Sequence, residues 1–153
     1  MSELKEITIA GIDQIDDLVE LYGGYREFYG QKRDKMNEKA FLEQRMEKNE
    51  SVILLALGND GSGMGFTQLY PLFSSVMMKR VWLLNDLFVD PKCRRKGVAE
   101  ALLDSAFKYA QKTGSRHIML ETAMDNYEAQ KLYEKNGWER DDETYMYFKE
   151  CDV

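Results

Sequence analysis

The sequence predicts an α/β fold in which helices cover both faces of one central, mixed and mostly antiparallel sheet of about seven strands. Three observations support this fold class. Strand-like and helix-like segments follow one another along the 153 residues in the order β-α-α-β-β-β-α-β-α-β-β. The segment Val81–Val89 is apolar at both odd and even positions, which is typical of a central strand covered on both faces. An amphipathic helix links this strand to a further strand, and such a connection favours parallel pairing.

The first third of the chain is predicted to form one strand and two helices. Leu4–Ile9 alternates apolar and polar residues, as in a half-buried strand. Apolar residues over Ile12–Tyr22 recur at helical spacing, and Gly23-Gly24 is expected to interrupt that helix. Asn37 is suited to cap the second helix.

The middle of the chain is predicted to form a β-hairpin. Ser51–Leu57 and Met64–Tyr70 are strand-like and flank an Asn-Asp-Gly turn at residues 59–61. The glycines of residues 61–65 precede a strand rather than a helix, so they predict a flexible hairpin rather than a phosphate-binding loop.

The second half of the chain contains the strongest helical pattern, from Gly97 to about Lys112. Arg116–Thr122 is the next predicted strand, parallel to Val81–Val89. Asp125 or Asn126 would cap a further helix, which Asn136-Gly137 would end. The last two predicted strands are Trp138–Glu139 and Thr144–Lys149.

The length of 153 residues, with no low-complexity linker, internal repeat or charge block to divide the chain, predicts a single domain over residues 1–153. The net charge of −6 argues against a nucleic-acid partner, because a polyanion requires a broad basic face. The first residues lack the apolar region of a secretory signal, and the longest apolar run, Val52–Leu57, is too short to cross a bilayer. We therefore expect a cytoplasmic protein with no membrane partner.

The chain offers little material for metal binding or for a nucleophilic triad. Cys93 and Cys151 lack metal-ligand spacing and are expected to be reduced thiols. The single histidine, His117, is expected to border a strand. The sequence therefore predicts no metal site.

The most informative segment is a basic, glycine-containing turn between the central strand and the strong helix. A helix N-terminus and successive backbone N–H groups point there toward one place, which favours an anion and most naturally a phosphate. A glycine in the turn allows a ligand to approach the backbone closely. The alternative is a solvated helix start with surface cations. The residues of this turn are Arg94, Arg95, Lys96, Gly97, Val98 and Ala99.

Two blocks of the sequence resemble the signature of the GNAT superfamily of N-acetyltransferases. The first is Val81–Pro91 followed by R-x-x-G-x-A at residues 94–99, and the second is N-x-x-A-x-x-L-Y-E-K-x-G-W at residues 126–138. The element order extends the resemblance over nearly the whole chain. The sequence of Asn85–Val89 is most similar to the small histone-and-protein acetyltransferase branch, with the diamine acetyltransferases close behind.

The resemblance implies acetyl-CoA as cosubstrate and no metal. The pyrophosphate would lie on the backbone N–H groups of residues 95–99, and Ala99 stands where many relatives have glycine. The pantetheine arm would pair with the strand edge, and the amide of Asn126 would suit a pantetheine amide. The strand-edge residues are Leu87, Phe88 and Val89.

Tyr133 matches the usual general acid of this family, which protonates the departing CoA thiolate. A phenol with a pKa near ~10 donates uphill to a thiolate near ~8.5, by roughly 2 kcal/mol, unless the site shifts one of them. Helical periodicity alone would make Tyr133 a half-buried core aromatic.

Asp86 is the candidate base, because it interrupts an otherwise apolar strand and a buried carboxylate must be paired or useful. Burial is expected to raise its pKa and make it a better base for the attacking amine. The alternatives are an Asp86 satisfied by its neighbours, Glu121 on the adjacent predicted strand as the base, or a water relay.

The acceptor is predicted to be a small primary amine, such as a polyamine, an amino acid or an amino sugar. Tyr25 and Tyr29, with Phe28, lie where this family usually forms the acceptor wall, and aromatic faces suit a cationic amine. The same rings could instead pack the core. A protein lysine or N-terminal amine is the alternative acceptor, and a non-catalytic acyl-CoA sensor is the alternative class. Relatives often pair through their C-terminal strands, which implies a homodimer.

Overall fold

A computed structural model describes residues 2–153 of the protein. It contains two compact units, of which the first extends to Glu121 and the second is Thr122–Val153. Two short 3₁₀ segments, Ile12–Gln14 and Pro91–Cys93, accompany the regular elements. These elements are β1 (Leu4–Ile9), α1 (Ile15–Phe28), α2 (Lys35–Glu47), β2 (Val52–Gly58), β3 (Gly63–Ser74), β4 (Lys79–Val89), α3 (Val98–Lys112), β5 (Ile118–Met119) and α4 (Tyr127–Lys135).

The first unit is built on one mixed sheet with the strand order β1-β2-β3-β4-β5. The first four strands pair antiparallel, and β5 pairs parallel to β4 through the α3 connection. The predicted α/β class, the mostly antiparallel sheet and the parallel crossover are therefore confirmed.

The sheet has five strands rather than the predicted seven. Among residues 2–153 no strand follows Met119, so the predicted strands Trp138–Glu139 and Thr144–Lys149 are wrong. The strand predicted over Arg116–Thr122 is reduced to two residues. Residues 139–153 are exposed throughout. An alternating pattern does not form a strand without a partner to pair with, and the local signal contains no information on that partner.

Helices pack on both faces of the sheet, as predicted. On one face α1 and α2 cover a core that includes Leu18, Leu42 and Phe66. On the other face α3 packs against β4, where the Trp82 ring lies 5.4 Å from the Tyr109 ring. The residues of β2 alternate between these two cores, as the two-residue side-chain period of a strand requires.

Helix α1 continues through Gly23-Gly24, which contradicts the predicted interruption. The glycines allow close approach instead. A Cβ on Gly24 would lie 2.8 Å from the Phe88 ring, and a Cβ on Gly23 would overlap the guanidinium of Arg33. The cause is tertiary, so local propensity could not identify it.

Helix α2 is capped by Asp34 rather than by the predicted Asn37. The Asp34 carboxylate accepts a hydrogen bond from the backbone N–H of Asn37 at 3.3 Å. Among the described residues, no helix combines the length and the apolar character that crossing a bilayer requires.

Candidate active site

The central strand β4 contains a bulge that turns Asp86 toward α1. Gln68 of β3 pairs with Asp86, whereas Leu69 pairs with Leu84, so Asn85 is an extra residue in β4. Before the bulge the Trp82 side chain faces α3, and after it Asp86 lies on the opposite face. The sequence contains the polar pair, but nothing in it distinguishes a bulge from a regular strand.

Asp86 is almost fully buried, with 2% of its surface exposed. The amide of Gln68 donates to Oδ2 at 2.6 Å, and the amide of Asn85 donates to Oδ1 at 2.7 Å. Gln68 is held in turn by the Ser51 hydroxyl, which donates to its Oε1 at 2.8 Å. Sequence reasoning missed Gln68, although a glutamine between the apolar residues of a strand is the same kind of signal as Asp86.

Burial raises the pKa of the Asp86 carboxyl above its ordinary value, while the hydrogen bonds from Asn85 and Gln68 act in the opposite direction. The expected direction is therefore confirmed. Among residues 2–153 no lysine or arginine forms an ion pair with Asp86. The carboxylate is thus oriented by neutral donors and is not neutralised by a cation.

Three tyrosines lie within electrostatic reach of Asp86. Burial raises the pKa of Tyr22, Tyr25 and Tyr70, and the negative charge of Asp86 raises it further. The hydroxyl of Tyr25 donates to the carbonyl of Asn85 at 3.3 Å. Tyr22 and Tyr70 were absent from the predicted site, because their positions in a helix and a strand gave only a packing signal.

The aromatic cluster predicted as an acceptor wall joins the core to the surface. Tyr25 packs edge-on against Phe66 of the sheet, with ring centroids 6.0 Å apart. On its other side it meets Tyr29 at 5.1 Å. Tyr29 is 63% exposed and Phe28 62% exposed. Tyr25 therefore packs the core and adjoins Asp86 through Asn85, whereas Tyr29 presents its ring to solvent.

One edge of β4 is open beside Asp86. Strand β5 pairs with β4 only at Trp82 and Leu83, so no described strand covers this edge from Leu84 to Val89. The N–H of Asp90 donates to the Met64 carbonyl of β3 at 2.9 Å. Since successive strand residues direct their N–H and C=O groups to opposite edges, Leu87 and Val89 present theirs at the open edge and Phe88 presents its own to β3.

The basic turn follows directly after this open edge. Arg95 and Gly97 have positive φ angles of 61° and 75°, and Gly97 is the N-cap of α3. Successive N–H groups in such a conformation form a concave anion site at the start of a helix. A Cβ on Gly97 would meet no atom within 4 Å, so the backbone conformation, not space, is what favours glycine.

The side chains of the turn differ in their surroundings. Lys96 donates to the carbonyl of Ser2 at 2.8 Å, which ties the turn to the N-terminal segment. The Arg94 side chain donates to the Val89 carbonyl at 3.2 Å. Arg95 is exposed. The backbone N–H groups and Arg95 are therefore the groups best suited to an anion.

The second unit contains the other predicted site residues on α4. Asn126 caps this helix, since its Oδ1 accepts a hydrogen bond from the Ala129 N–H at 3.2 Å. Tyr133 is half-buried, and its ring lies 6.2 Å from the Trp138 ring. The predicted cap and the predicted end at Asn136-Gly137 are confirmed.

Two further predicted residues lie after the sheet's central part. Glu121 is exposed and follows β5 by two residues. The carbonyl of His117 accepts a hydrogen bond from the Trp82 N–H at 3.2 Å, so His117 borders a strand as predicted. Within the described part of the chain, no three His, Cys, Asp or Glu residues are grouped to hold a metal ion.

The chain belongs to the GNAT family of acetyltransferases, because the sequence model described as "Acetyltransferase (GNAT) family" matches residues 15–138. It is therefore an acetyltransferase, a class that uses acetyl-CoA. The match spans both sequence blocks that carried the resemblance.

Known relatives agree with this membership. The chain is 51% identical over 121 residues to an uncharacterized N-acetyltransferase, YhfO, of Bacillus subtilis strain 168, which covers 79% of this chain and 80% of that one. It is 33% identical to a probable acetyltransferase of Haemophilus influenzae, covering 74% and 77% of the two chains.

Solved structures share the fold. A crystal structure of a probable acetyltransferase has a TM-score of 0.93 and 40% identity, over 97% of this chain and 99% of that one. An aminoglycoside N-acetyltransferase in complex with CoA has a TM-score of 0.79 at 20% identity, over 99% and 97% of the chains. At that identity the second likeness shows the fold alone.

Proposed function

We propose that this chain is a single N-acetyltransferase domain over residues 1–153 that transfers an acetyl group from acetyl-CoA to a primary amine of a small molecule. The amine attacks directly in a ternary complex. The observation that carries this proposal is a buried carboxylate, Asp86, without a cationic partner among the described residues, beside an open strand edge. The first provides a place for an ammonium, and the second a place for an extended cosubstrate.

The residues present fit acetyl-CoA. The N–H and C=O of Leu87 and the N–H of Val89 at the open edge of β4 suit the amides of the pantetheine arm, while the Val89 carbonyl already accepts a hydrogen bond from Arg94. Phe88 lies between these two residues and pairs with β3. The N–H groups of residues 95–99 suit the pyrophosphate. When bound, acetyl-CoA supplies an activated thioester and a thiolate leaving group. Backbone N–H groups near Leu87 would polarise the thioester carbonyl.

Asp86 is proposed to bind and deprotonate the acceptor. An alkylammonium with a pKa of about 10.4 is almost entirely protonated at neutral pH, so it needs a counter-charge and then a base. Burial disfavours the charged form of Asp86, which makes proton acceptance more favourable. Gln68 and Asn85 fix the carboxylate without taking its charge. Glu121 is exposed, which favours Asp86 over Glu121 as the base.

Tyr133 is proposed to protonate the thiolate, and the Asn126 amide to bind a pantetheine amide. Both assignments rest on the second sequence block and on family membership. The Asn126 Oδ1 caps α4, so its amide N–H group is the one offered to a ligand. Direct transfer is favoured over a thiol carrier, because burial raises the pKa of Cys93 and disfavours its thiolate.

A small cationic amine is the proposed acceptor class. The exposed ring of Tyr29 beside Tyr25 offers an aromatic face near the buried carboxylate of Asp86. Asn85–Val89 is most similar to the small histone-and-protein acetyltransferase branch, with the diamine acetyltransferases close behind. The second likeness supports a small amine, and the first supports the alternative acceptor, a lysine or N-terminal amine of a protein.

The experiment is CoA release from acetyl-CoA with a panel of polyamines, amino acids, amino sugars and lysine peptides. Saturable release with a small amine, and a mass increase of that amine by one acetyl group, is the expected result. Release only with peptides would assign a protein acceptor. Saturable CoA binding without release by any amine would instead indicate an acyl-CoA sensor.

We also propose a cytoplasmic homodimer. Four consecutive apolar side chains near the C-terminus are largely exposed: Tyr145, Met146, Tyr147 and Phe148. Their exposure supports a second copy of the chain as the surface that covers them. Light scattering in solution tests the assembly, and a monomer at micromolar concentration would contradict it.

A further inference from the structure

A second buried carboxylate, which the proposed reaction does not use, lies on α2. Glu38 is 2% exposed. Its oxygens accept hydrogen bonds from Arg33 Nε at 3.0 Å, from Arg26 Nη1 at 3.3 Å and from the backbone N–H of Asp34 at 3.3 Å. A buried charge costs free energy unless it is paired and hydrogen-bonded, and here both requirements are met.

These contacts fix the connection between α1 and α2, residues 29–34. Arg26 Nη1 also donates to the Lys32 carbonyl at 3.0 Å, and the Gln31 N–H donates to the Arg26 carbonyl at 2.9 Å. The middle of the connection is thus tied to Arg26, and its end is tied to Glu38 through Arg33 and Asp34.

The path of Arg33 explains the glycine within α1. The Arg33 side chain crosses directly over Gly23, where a Cβ would overlap its guanidinium, and Nη1 lies 3.5 Å from Glu20 Oε2. Glycine is unfavourable within a helix compared with alanine, so its presence here needs a reason beyond helix formation. The crossing of Arg33 toward Glu38 supplies that reason.

The connection begins at the aromatic cluster beside the candidate base. Tyr29 contacts Tyr25 edge-on at 5.1 Å, and the Tyr25 hydroxyl donates to the Asn85 carbonyl next to Asp86. A displacement of residues 29–34 would therefore move the exposed ring proposed to meet the acceptor. The turn at residues 94–99, proposed to bind the cosubstrate, makes none of the contacts described for Glu38.

We propose that Glu38 is a positioning residue for the acceptor: through Arg26 and Arg33 it holds residues 29–34 and Tyr29 in place, and so sets the affinity for the amine. Acetyl-CoA binding is unaffected by it. This inference rests on the proposed function, since it concerns the same acceptor side of Asp86.

The first test is Glu38→Gln, which keeps the shape of the side chain and removes its charge. We expect the KM for the acceptor amine to rise about tenfold, because small misplacements of a positioning surface are costly. The KM for acetyl-CoA should stay within about twofold of its original value, because no contact described for Glu38 reaches the turn proposed to bind the cosubstrate. The matched control is Glu47→Gln, an exposed residue on the same helix, which should change neither constant.

The second test is Gly23→Ala, which displaces Arg33 and leaves Glu38 in place. Alanine favours the helix, but the displaced Arg33 leaves the buried Glu38 carboxylate with one arginine partner fewer, so we expect a modest fall in Tm. At a temperature well below the Tm, we expect the acceptor KM to rise as in Glu38→Gln and the KM for acetyl-CoA to stay unchanged. A loss of folded protein lowers the apparent kcat and leaves both KM values alone, so it cannot produce this split.

The outcomes separate this inference from the proposed function. A folded E38Q variant with an unchanged acceptor KM would overturn the inference, as would an equal rise of both KM values. If none of the amines tested causes the unsubstituted protein to release CoA, the proposed function and this inference fail together.

Discussion

The Gln68 amide donates to the Asp86 carboxylate at 2.6 Å, and both side chains are buried between the sheet and α1. This contact joins β3 to β4 directly beside the bulge at Asn85. It gives the proposed base a fixed orientation and opposes the effect of burial on its pKa.

Gln68→Leu should therefore raise the pKa of Asp86 further, since the substitution removes a donor that stabilises the carboxylate. The acidic limb of kcat/KM against pH should move to higher pH, and stability should fall by about 1–3 kcal/mol because Oδ2 loses its partner. Ser51→Ala, which removes only the support of Gln68, should shift the limb less and in the same direction. An unmoved limb in Gln68→Leu would show that this limb does not report on Asp86.

Asp86→Asn should lower kcat/KM by about 10²–10⁴-fold, the range usually attributed to a general base. The free energy of unfolding of the variant, relative to that of the wild type, should increase as pH rises. The folded pKa is raised, so wild-type stability falls as pH rises from the unfolded pKa, about 4, through the folded value. The variant lacks this loss.

Thermal unfolding at two pH values tests the stability part of that prediction. The Tm difference, variant minus wild type, should be larger at pH 8 than at pH 4, on the linkage argument. Any fixed cost of the new amide cancels in this comparison. Turnover equal to wild type would remove Asp86 from the proposed chemistry, whatever the Tm.

Gly97→Ala should weaken acetyl-CoA binding and destabilise the fold by about 1–2 kcal/mol, because alanine is strained at φ 75°. No neighbouring atom would be hit, so the effect comes from the backbone alone. Gly97→Asn is the matched comparison, since asparagine tolerates this conformation better. Calorimetric titration with CoA checks the order, in which Asn should bind more tightly than Ala. The reverse order would contradict a conformational role for Gly97.

Tyr133→Phe should keep CoA binding and lower kcat by about 10²-fold, if its phenol supplies the proton to the thiolate. Single-turnover kinetics together with CoA titration separate the two effects. Tyr127→Phe, an exposed tyrosine on the same helix, is the control and should behave as wild type. Equal kcat in both variants would remove Tyr133 from the mechanism.

Strand β4 and the helices α3 and α4 could be predicted because their signals are local. Val81–Val89 has continuous apolar character, Gly97 starts a helix with a strong apolar stripe, and Asn126 caps α4 as expected. Each of these depends on residues within a few positions of one another.

The errors have a common physical cause, which is that the deciding partner is distant in sequence. Gly23-Gly24 was predicted to interrupt α1 because nothing local reveals Arg33 or Phe88. A glutamate on a helix is ordinarily exposed to solvent, and nothing local in the sequence shows that Glu38 is buried against Arg26 and Arg33. Trp138–Glu139 and Thr144–Lys149 have a strand pattern without a described strand beside them.

The extra residue in β4 makes the length of this strand as important as its composition. Side chains alternate between faces, so deletion of Asn85 would exchange the faces of the neighbouring segment: Asp86 would turn toward α3, and Leu87 toward α1. A one-residue deletion there would turn the Asp86 carboxylate away from the amine, although no other residue of the sequence is changed. Homologues that lack this insertion would thus need a different proton acceptor, even where an aspartate aligns at the same position.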